Sequence, residues 1–188
     1  MILEGIVTTL GEGEAPNIAP MGPRLFPPYG LEAGTRFELK PFATSRTAAN
    51  LRLVPEGVLH VADDVLLLAQ AAIGDVPIPE HFPAHRVRGV VLAGACRAHE
   101  FRIVAVDDSQ PRWVLSAEVV ATHRLRDFFG LNRAMHAVVE AAILATRTAL
   151  LPRERILEEY GRLEVLVEKT GGEREREAFA LLRRHVEG

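Results

Sequence analysis

The sequence lacks several features that mark common classes of protein. It contains one cysteine, Cys96, in 188 residues, which excludes an internal disulfide framework and suits a reducing compartment. No apolar run reaches the ~18 residues that cross a bilayer, and no leader of basic and then apolar residues is present. The formal net charge of −3 gives no reason to expect nucleic acid as a partner. We therefore expect a cytoplasmic protein that binds neither nucleic acid nor membranes.

The usual catalytic motifs are missing as well. The chain has no GxSxG, GxxxxGKS/T or HExxH pattern, so no catalytic side chain is identified. Residues 11–16 lack the third glycine of GxGxxG and carry two glutamates that would repel a pyrophosphate, so a hairpin turn is expected there. His81 and His85 have the spacing of a helical metal site, but Pro83 between them disfavours a helix. We expect no metal site.

The residues that are present favour a β-rich domain. With 48% hydrophobic but only 6% aromatic residues, the core is expected to consist mainly of Val, Leu, Ile and Ala. Strand patterns occur at 2–10, 17–23, 35–40, 57–62, 89–106 (as one strand or two) and 112–125. Pro20 and Pro23 cannot donate to a ladder, which places the second strand at an edge, a bulge or a strand end. Hairpins joined by short helices predict a small closed or nearly closed barrel.

Helical periodicity dominates after Gly130. Apolar residues at helical spacing predict helices at 131–149, from Pro152 to 170, and at 173–186. We therefore expect a barrel domain at 1–130 and a helical subdomain at 131–188. On the first of these helices, Asn132, Arg133 and Glu140 can share a face, and we interpret them as an intrahelical or dimer-interface polar network.

An acid pair precedes a shorter helix at 65–73. Either Asp63 or Asp64 is expected to cap this helix, and a catalytic role for the pair is the less favoured interpretation.

The stretch from Lys40 to Leu53 carries the clearest functional pattern. A strand runs into a short helix through Thr44, Ser45, Arg46 and Thr47, and no Asp or Glu occurs between residues 39 and 55. The first turn of a helix normally favours an acid, because its N–H groups and dipole are positive. Hydroxyls and a guanidinium at this position favour a bound anion such as a phosphate. The alternative is an ordinary Ser or Thr cap beside a solvated arginine.

Several segments together resemble one protein family, known only as a domain of unknown function, whose members adopt the FMN-binding split-barrel fold of flavin reductases and pyridoxamine-phosphate oxidases. The matching segments are 1–9 with 17–22, 41–47 with Asn50-Leu51, 60–64, and 132–134 with Glu140-Ala141 and Arg147. The sequence departs from the family at Ala48-Ala49, where a larger aromatic residue is expected. The resemblance implies an α+β, mainly β fold, namely an antiparallel split β-barrel with a C-terminal helical extension.

The same resemblance implies FMN as the cofactor. Its phosphate would be bound by Thr44, Ser45, Arg46 and Thr47, with Asn50 nearby. The strand that carries Asn17, Ala19, Pro20, Met21 and Gly22 would run beside the isoalloxazine ring and offer it main-chain groups. Proteins of this kind are typically homodimers with flavin at the subunit interface.

Two functions are compatible with these observations. The first is a flavin-dependent oxidoreductase of unknown substrate, with a nicotinamide or another compound as electron donor, in which FMN carries the chemistry. The second is a non-catalytic module that stores, carries or senses FMN.

Overall fold

The computed structural model describes residues 1–13 and 15–188. The turn expected at 11–16 includes residue 14, which lies outside the described residues. The chain divides into two compact units. The barrel unit comprises residues 1–62 and 78–127, and the helical unit comprises residues 63–77 and 128–188. The helical unit thus includes a segment that lies well before the predicted boundary at residue 130.

The barrel unit is built from nine strands and one helix, α1 (Arg46–Leu53), among the described residues. The strands are β1 (Gly5–Thr9), β2 (Asn17–Met21), β3 (Arg24–Leu25), β4 (Arg36–Leu39), β5 (Glu56–Val61), β6 (His81–Pro83), β7 (Val90–Leu92), β8 (Arg97–Asp107) and β9 (Val114–Arg124). The expected strand at 89–106 is therefore two strands, β7 and β8. Cys96 lies between them and is buried.

Seven of these strands form one antiparallel sheet in the order β2-β1-β5-β8-β9-β4-β3. The residues before β1 contact the chain at β3, which is the last strand of the sheet. Ile2 forms an isolated bridge with Arg24 of β3, and the N–H of Leu3 donates to the carbonyl of Pro23 over 3.1 Å. The sheet therefore curls far enough for the residues before β1 to reach β3, which confirms the expected closed or nearly closed antiparallel barrel.

The two faces of the sheet are covered by different apolar groups. Leu59 and Phe101 belong to the inner core, where Phe101 packs edge-on against Phe37 at 5.4 Å between ring centroids. Val58 and Ala98 belong to the outer cluster, which the segment around Val87 and Val91 covers. Because side chains alternate along a strand, neighbouring residues of β5 and β8 serve opposite faces.

The helical unit contains α2 (Val65–Ile73), α3 (Arg133–Ala145), α4 (Arg153–Thr170) and α5 (Glu173–Glu187). The apolar faces of all four helices meet in one core that includes Tyr160, whose hydroxyl donates to the carbonyl of Ala141 over 2.8 Å. No helix among the described residues is long and apolar enough to cross a membrane.

Within the described residues, no hydrogen bond or ion pair joins Asn132, Arg133 and Glu140, so the intrahelical form of the expected network is absent there, while its dimer-interface form stays a prediction. Asn132 is the N-cap of α3, and its Oδ1 accepts from the N–H groups of Ala134 and Met135. Its amide donates to the carbonyl of Thr170 at the end of α4. Arg133 and Glu140 are exposed. Asn132 therefore serves as a cap because its short side chain reaches the N–H groups of the first turn.

Candidate functional site

The first turn of α1 contains backbone N–H groups that no acceptor among the described residues satisfies. Ser45 is the N-cap, and its Oγ accepts from the N–H of Ala48 over 3.2 Å. Within residues 1–13 and 15–188, no acceptor is bonded to the N–H groups of Arg46 and Thr47, and no acid lies in the first turn. Arg46 and Thr44 are exposed, and Arg46 has no ion-pair partner among the same residues. Such an arrangement attracts an anion, because the free N–H groups lie at the positive end of the helix and Arg46, in the same turn, adds a positive charge.

A buried polar junction fixes α1 against the barrel. The amide nitrogen of Asn50 donates to Oγ1 of Thr9 on β1 over 3.1 Å. The amide nitrogen of Asn17 on β2 donates to the same Thr9 oxygen over 3.3 Å and to Oγ1 of Thr47 over 3.1 Å. Gly11 lies so close that a Cβ there would be 2.6 Å from Oδ1 of Asn50. The amide nitrogen of Asn50 therefore ties the helix to β1, and a place for Asn50 near a phosphate stays a prediction.

The predicted flavin-ring strand lies beside this helix start. Among the described residues, β2 pairs with β1 alone and has Pro20 opposite Ile6, so the structure shows an edge strand, one of the three positions that its prolines predicted. Its outer main-chain edge is not part of the sheet ladder, and Ala19, Pro20 and Met21 are half-buried while Gly22 is exposed. The Asn17–Thr47 bond joins the two predicted parts of the site, so the structure brings the sequence-predicted residues together.

The acid pair at 63–64 has structural partners in the helical unit. Asp64 caps α2, because its Oδ1 accepts from the N–H of Leu67 over 3.1 Å, and its Oδ2 pairs with Arg174 at 2.6 Å. Oδ2 of Asp63 accepts from the N–H of Phe129 over 2.9 Å. The capping interpretation is confirmed for Asp64.

A second polar group, not found from the sequence, lies on the outer face of the sheet. Glu100 of β8 is fully buried, and its carboxylate accepts from the N–H groups of His85, Arg86 and Val87 at 2.7, 2.6 and 3.1 Å. Its Oε1 also lies 2.6 Å from Nε2 of His123 on β9. Burial alone would raise the pKa of Glu100, but the bonds from His85, His123 and Arg86 together lower it. The sequence feature that could have indicated this group is an acid within a predicted strand.

His60 of β5 is buried and satisfied at both ring nitrogens. Its Nδ1 lies 3.1 Å from the carbonyl of Ile6, and its Nε2 accepts from the N–H of Leu92 over 3.1 Å. The ring is therefore neutral, with its proton on Nδ1. Burial lowers the pKa of His60 to about 4, despite the opposing bond to Ile6.

Two family models cover most of the chain. Residues 3–126 match the N-terminal domain of a protein of unknown function, DUF447, and residues 132–184 match its C-terminal part. The chain belongs to the DUF447 family. No curated protein sequence matches it.

Several solved structures of flavin proteins have the same fold as this DUF447 protein. An FMN-bound DUF447 protein from Methanosarcina mazei is 25% identical, with a TM-score of 0.82 over 98% of this chain and 94% of that one. An FMN-binding protein from Thermus thermophilus is 17% identical, with a TM-score of 0.52 over 65% and 70%. The flavin reductase component of a bacterial two-component tryptophan halogenase is 14% identical, with a TM-score of 0.55 over 68% and 82%. These likenesses confirm the predicted family and the flavin-reductase-like split barrel.

The buried neutral His60 predicts an acid-sensitive barrel in this DUF447 protein. Because its folded pKa is lowered, the unfolded chain takes up a proton below about pH 6.5 and the folded chain does not. The free energy of unfolding should fall by about 2 kcal/mol between pH 6.5 and pH 5, and His99, whose pKa burial also lowers, acts in the same direction. Urea titrations followed by Trp113 fluorescence report the barrel unit, which contains both residues.

The matched variants are His60→Gln and His185→Gln, because His185 is exposed on α5. The first variant should be less stable at pH 7 and should lose the part of the pH dependence that His60 contributes, keeping that of His99, and the second should behave like the wild type. An unchanged pH dependence in His60→Gln would contradict the assignment of a neutral, buried ring.

Proposed function

We propose that this protein binds FMN, with the phosphate at the N-terminus of α1 and the isoalloxazine ring along β2. The observation that carries the proposal is the Asn17–Thr47 hydrogen bond of 3.1 Å, which joins an edge strand to a helix start that has free donors. The FMN-bound structure of the family member from Methanosarcina mazei supports it.

The residues at the helix start fit a phosphate dianion. Arg46 supplies a charge-assisted donor, and the N–H groups of Arg46 and Thr47 point out of the first turn. The hydroxyls of Thr44 and Ser45 add donors, since the Ser45 oxygen is already used as an acceptor by Ala48. The absence of an acid from the first turn of α1 means that no carboxylate there opposes the ligand.

The edge strand fits the polar rim of a flavin. The ring offers carbonyl and N–H groups, and main-chain groups on the outer edge of β2 complement them without any titratable side chain. Pro20 lacks an N–H, so it contributes no donor to either edge of β2. The resulting binding mode depends on backbone position, which the junction with α1 fixes.

We further propose that the protein is an oxidoreductase. Bound FMN supplies the electron-transfer chemistry, and the protein binds and orients the ring. The likeness to a flavin reductase component supports this class, and the absence of a recognisable acid–base motif is compatible with it. A non-catalytic flavin carrier or sensor would use the same binding residues and is the second candidate.

FMN binding and oxidoreductase activity are tested together by a visible spectrum of the freshly purified protein, followed by anaerobic addition of NADH or NADPH. We expect the absorption bands of oxidised flavin in the purified protein and release of FMN on denaturation. Addition of NADH or NADPH should bleach these bands at a rate fast enough for catalytic turnover. A protein that is colourless and takes up no added FMN would contradict flavin binding. A yellow protein that neither nicotinamide bleaches would favour the carrier or sensor.

Arg46→Ala should weaken FMN binding by about 1.5–3 kcal/mol, or about 10- to 150-fold in Kd, because it removes a charge-assisted bond to phosphate. Quenching of FMN fluorescence on titration with the apoprotein measures the change.

The matched control is Arg52→Ala in the last turn of the same helix, where the guanidinium lies 5.8 Å from the centroid of the Trp113 ring. This control should retain wild-type affinity. Equal affinity of Arg46→Ala and the wild type would show that the phosphate binds elsewhere.

We also propose a homodimer with flavin at its interface. The barrel unit exposes large apolar side chains that a monomer leaves in water, among them Phe26, Tyr29, Phe42, Val104 and Val106, which are 41–58% exposed. Sedimentation velocity at micromolar concentration should give twice the 20.6-kDa chain mass, and dilution that dissociates the dimer should release FMN. A 20.6-kDa species that retains FMN would contradict this arrangement.

A further inference from the structure

Three metal-ligand side chains meet on the outer face of the barrel sheet. His85 lies in the segment between β6 and β7, Glu100 on β8 and His123 on β9. One ligand atom from each residue lies within 4.8 Å of the other two, and the rings of His85 and His123 pack edge to face with centroids 4.8 Å apart. The sequence spacing of His81 and His85 did not indicate this group, because its other members lie on distant strands.

The hydrogen bonds to Glu100 occupy one of its carboxylate oxygens and leave the other able to bind a cation. Oε2 accepts from two backbone N–H groups, those of Arg86 and Val87, so its lone pairs are used. Oε1 accepts from the N–H of His85 and lies 2.6 Å from Nε2 of His123, which is hydrogen-bonding distance. A metal ion can take the place of the hydrogen in that contact and leave every backbone bond to the carboxylate intact. The three backbone donors would then orient the ligand from outside the coordination sphere.

We propose that His85, Glu100 and His123 form a binding site for a divalent transition metal of the zinc class. Nε2 of His123, Oε1 of Glu100 and a ring nitrogen of His85 are the three protein ligands. His85 is exposed, so the fourth position faces solvent and takes water or an anion. Two imidazoles and one carboxylate, with one open position, are a ligand set that zinc accepts.

The required movement is small. Tetrahedral bonds of about 2.0–2.1 Å place ligand atoms about 3.3 Å apart, so the 2.6-Å contact between His123 and Glu100 must widen by less than about 1 Å. The His123 side chain retains 13% exposure, and the exposed His85 ring has to bring its ligand atom closer by up to about 1.5 Å, from at most 4.8 Å to about 3.3 Å. The carboxylate itself does not have to move.

The metal site is separate from the proposed flavin site. Glu100 and Ala98 share the outer face of β8, whereas α1 contributes Leu51 to the inner core. A failure of FMN binding would therefore leave the metal proposal standing, and the reverse also holds.

Isothermal titration of the untagged, EDTA-treated full chain with ZnCl2 tests the site. We expect one saturable site per chain. His85→Ala should weaken it by about tenfold or more, because a ligand is lost while the backbone N–H of residue 85 still bonds to Glu100. His123→Gln should do the same, since its amide keeps an N–H donor for Glu100 but is a poor zinc ligand.

His81→Ala is the matched control, because His81 is an exposed histidine of the same segment and lies outside the group. Circular dichroism of each variant shows that the fold is retained. No saturable binding by the wild type would overturn the proposal. Binding that survives both His85→Ala and His123→Gln, or that only His81→Ala removes, would also overturn it.

Discussion

The candidate site depends on the buried hydrogen bonds among Thr9, Asn17, Thr47 and Asn50. A buried amide without a partner is costly, so these groups tolerate only positions of α1 in which all of them are bonded. Thr9 ends β1, which pairs with both β2 and β5. The junction therefore transmits the rigidity of the sheet to a helix of only eight residues, which would not be stable alone. The direction of its N-terminal N–H groups follows from that anchoring.

Sequence patterns predicted the helices and strands well, because the residues that begin and end each of them lie close together in the chain. α2 occupies the expected 65–73, since Asp64 caps its start and Gly74, with φ of 80°, ends it in the left-handed conformation. Pro20 marked an edge strand because proline cannot donate to a ladder. The start of α1 was recognisable from its hydroxyls and its lack of acids. Each of these features involves residues a few positions apart.

The long-range polar contacts could not be predicted in this way. Asn50 and Thr9 are 41 positions apart, and the pairing of their side chains depends on strand order and register. The same holds for His60 and Leu92, which are 32 positions apart. The inclusion of residues 63–77 in the helical unit depends on contacts between distant helices. Periodicity shows which face of an element is buried but not which partner covers it.

Two groups of backbone N–H donors in the barrel unit differ in whether the chain supplies an acceptor for them. The N–H groups of residues 85–87 converge on Glu100, so the chain supplies its own carboxylate to them. The first turn of α1 has no such acid and adds the cation of Arg46. α3 also begins without an acid, but there Asn132 accepts from two N–H groups, whereas Ser45 accepts from one. Since an internal acceptor satisfies the donors in the other two cases, the donors of α1 are best explained by an anion from outside the chain.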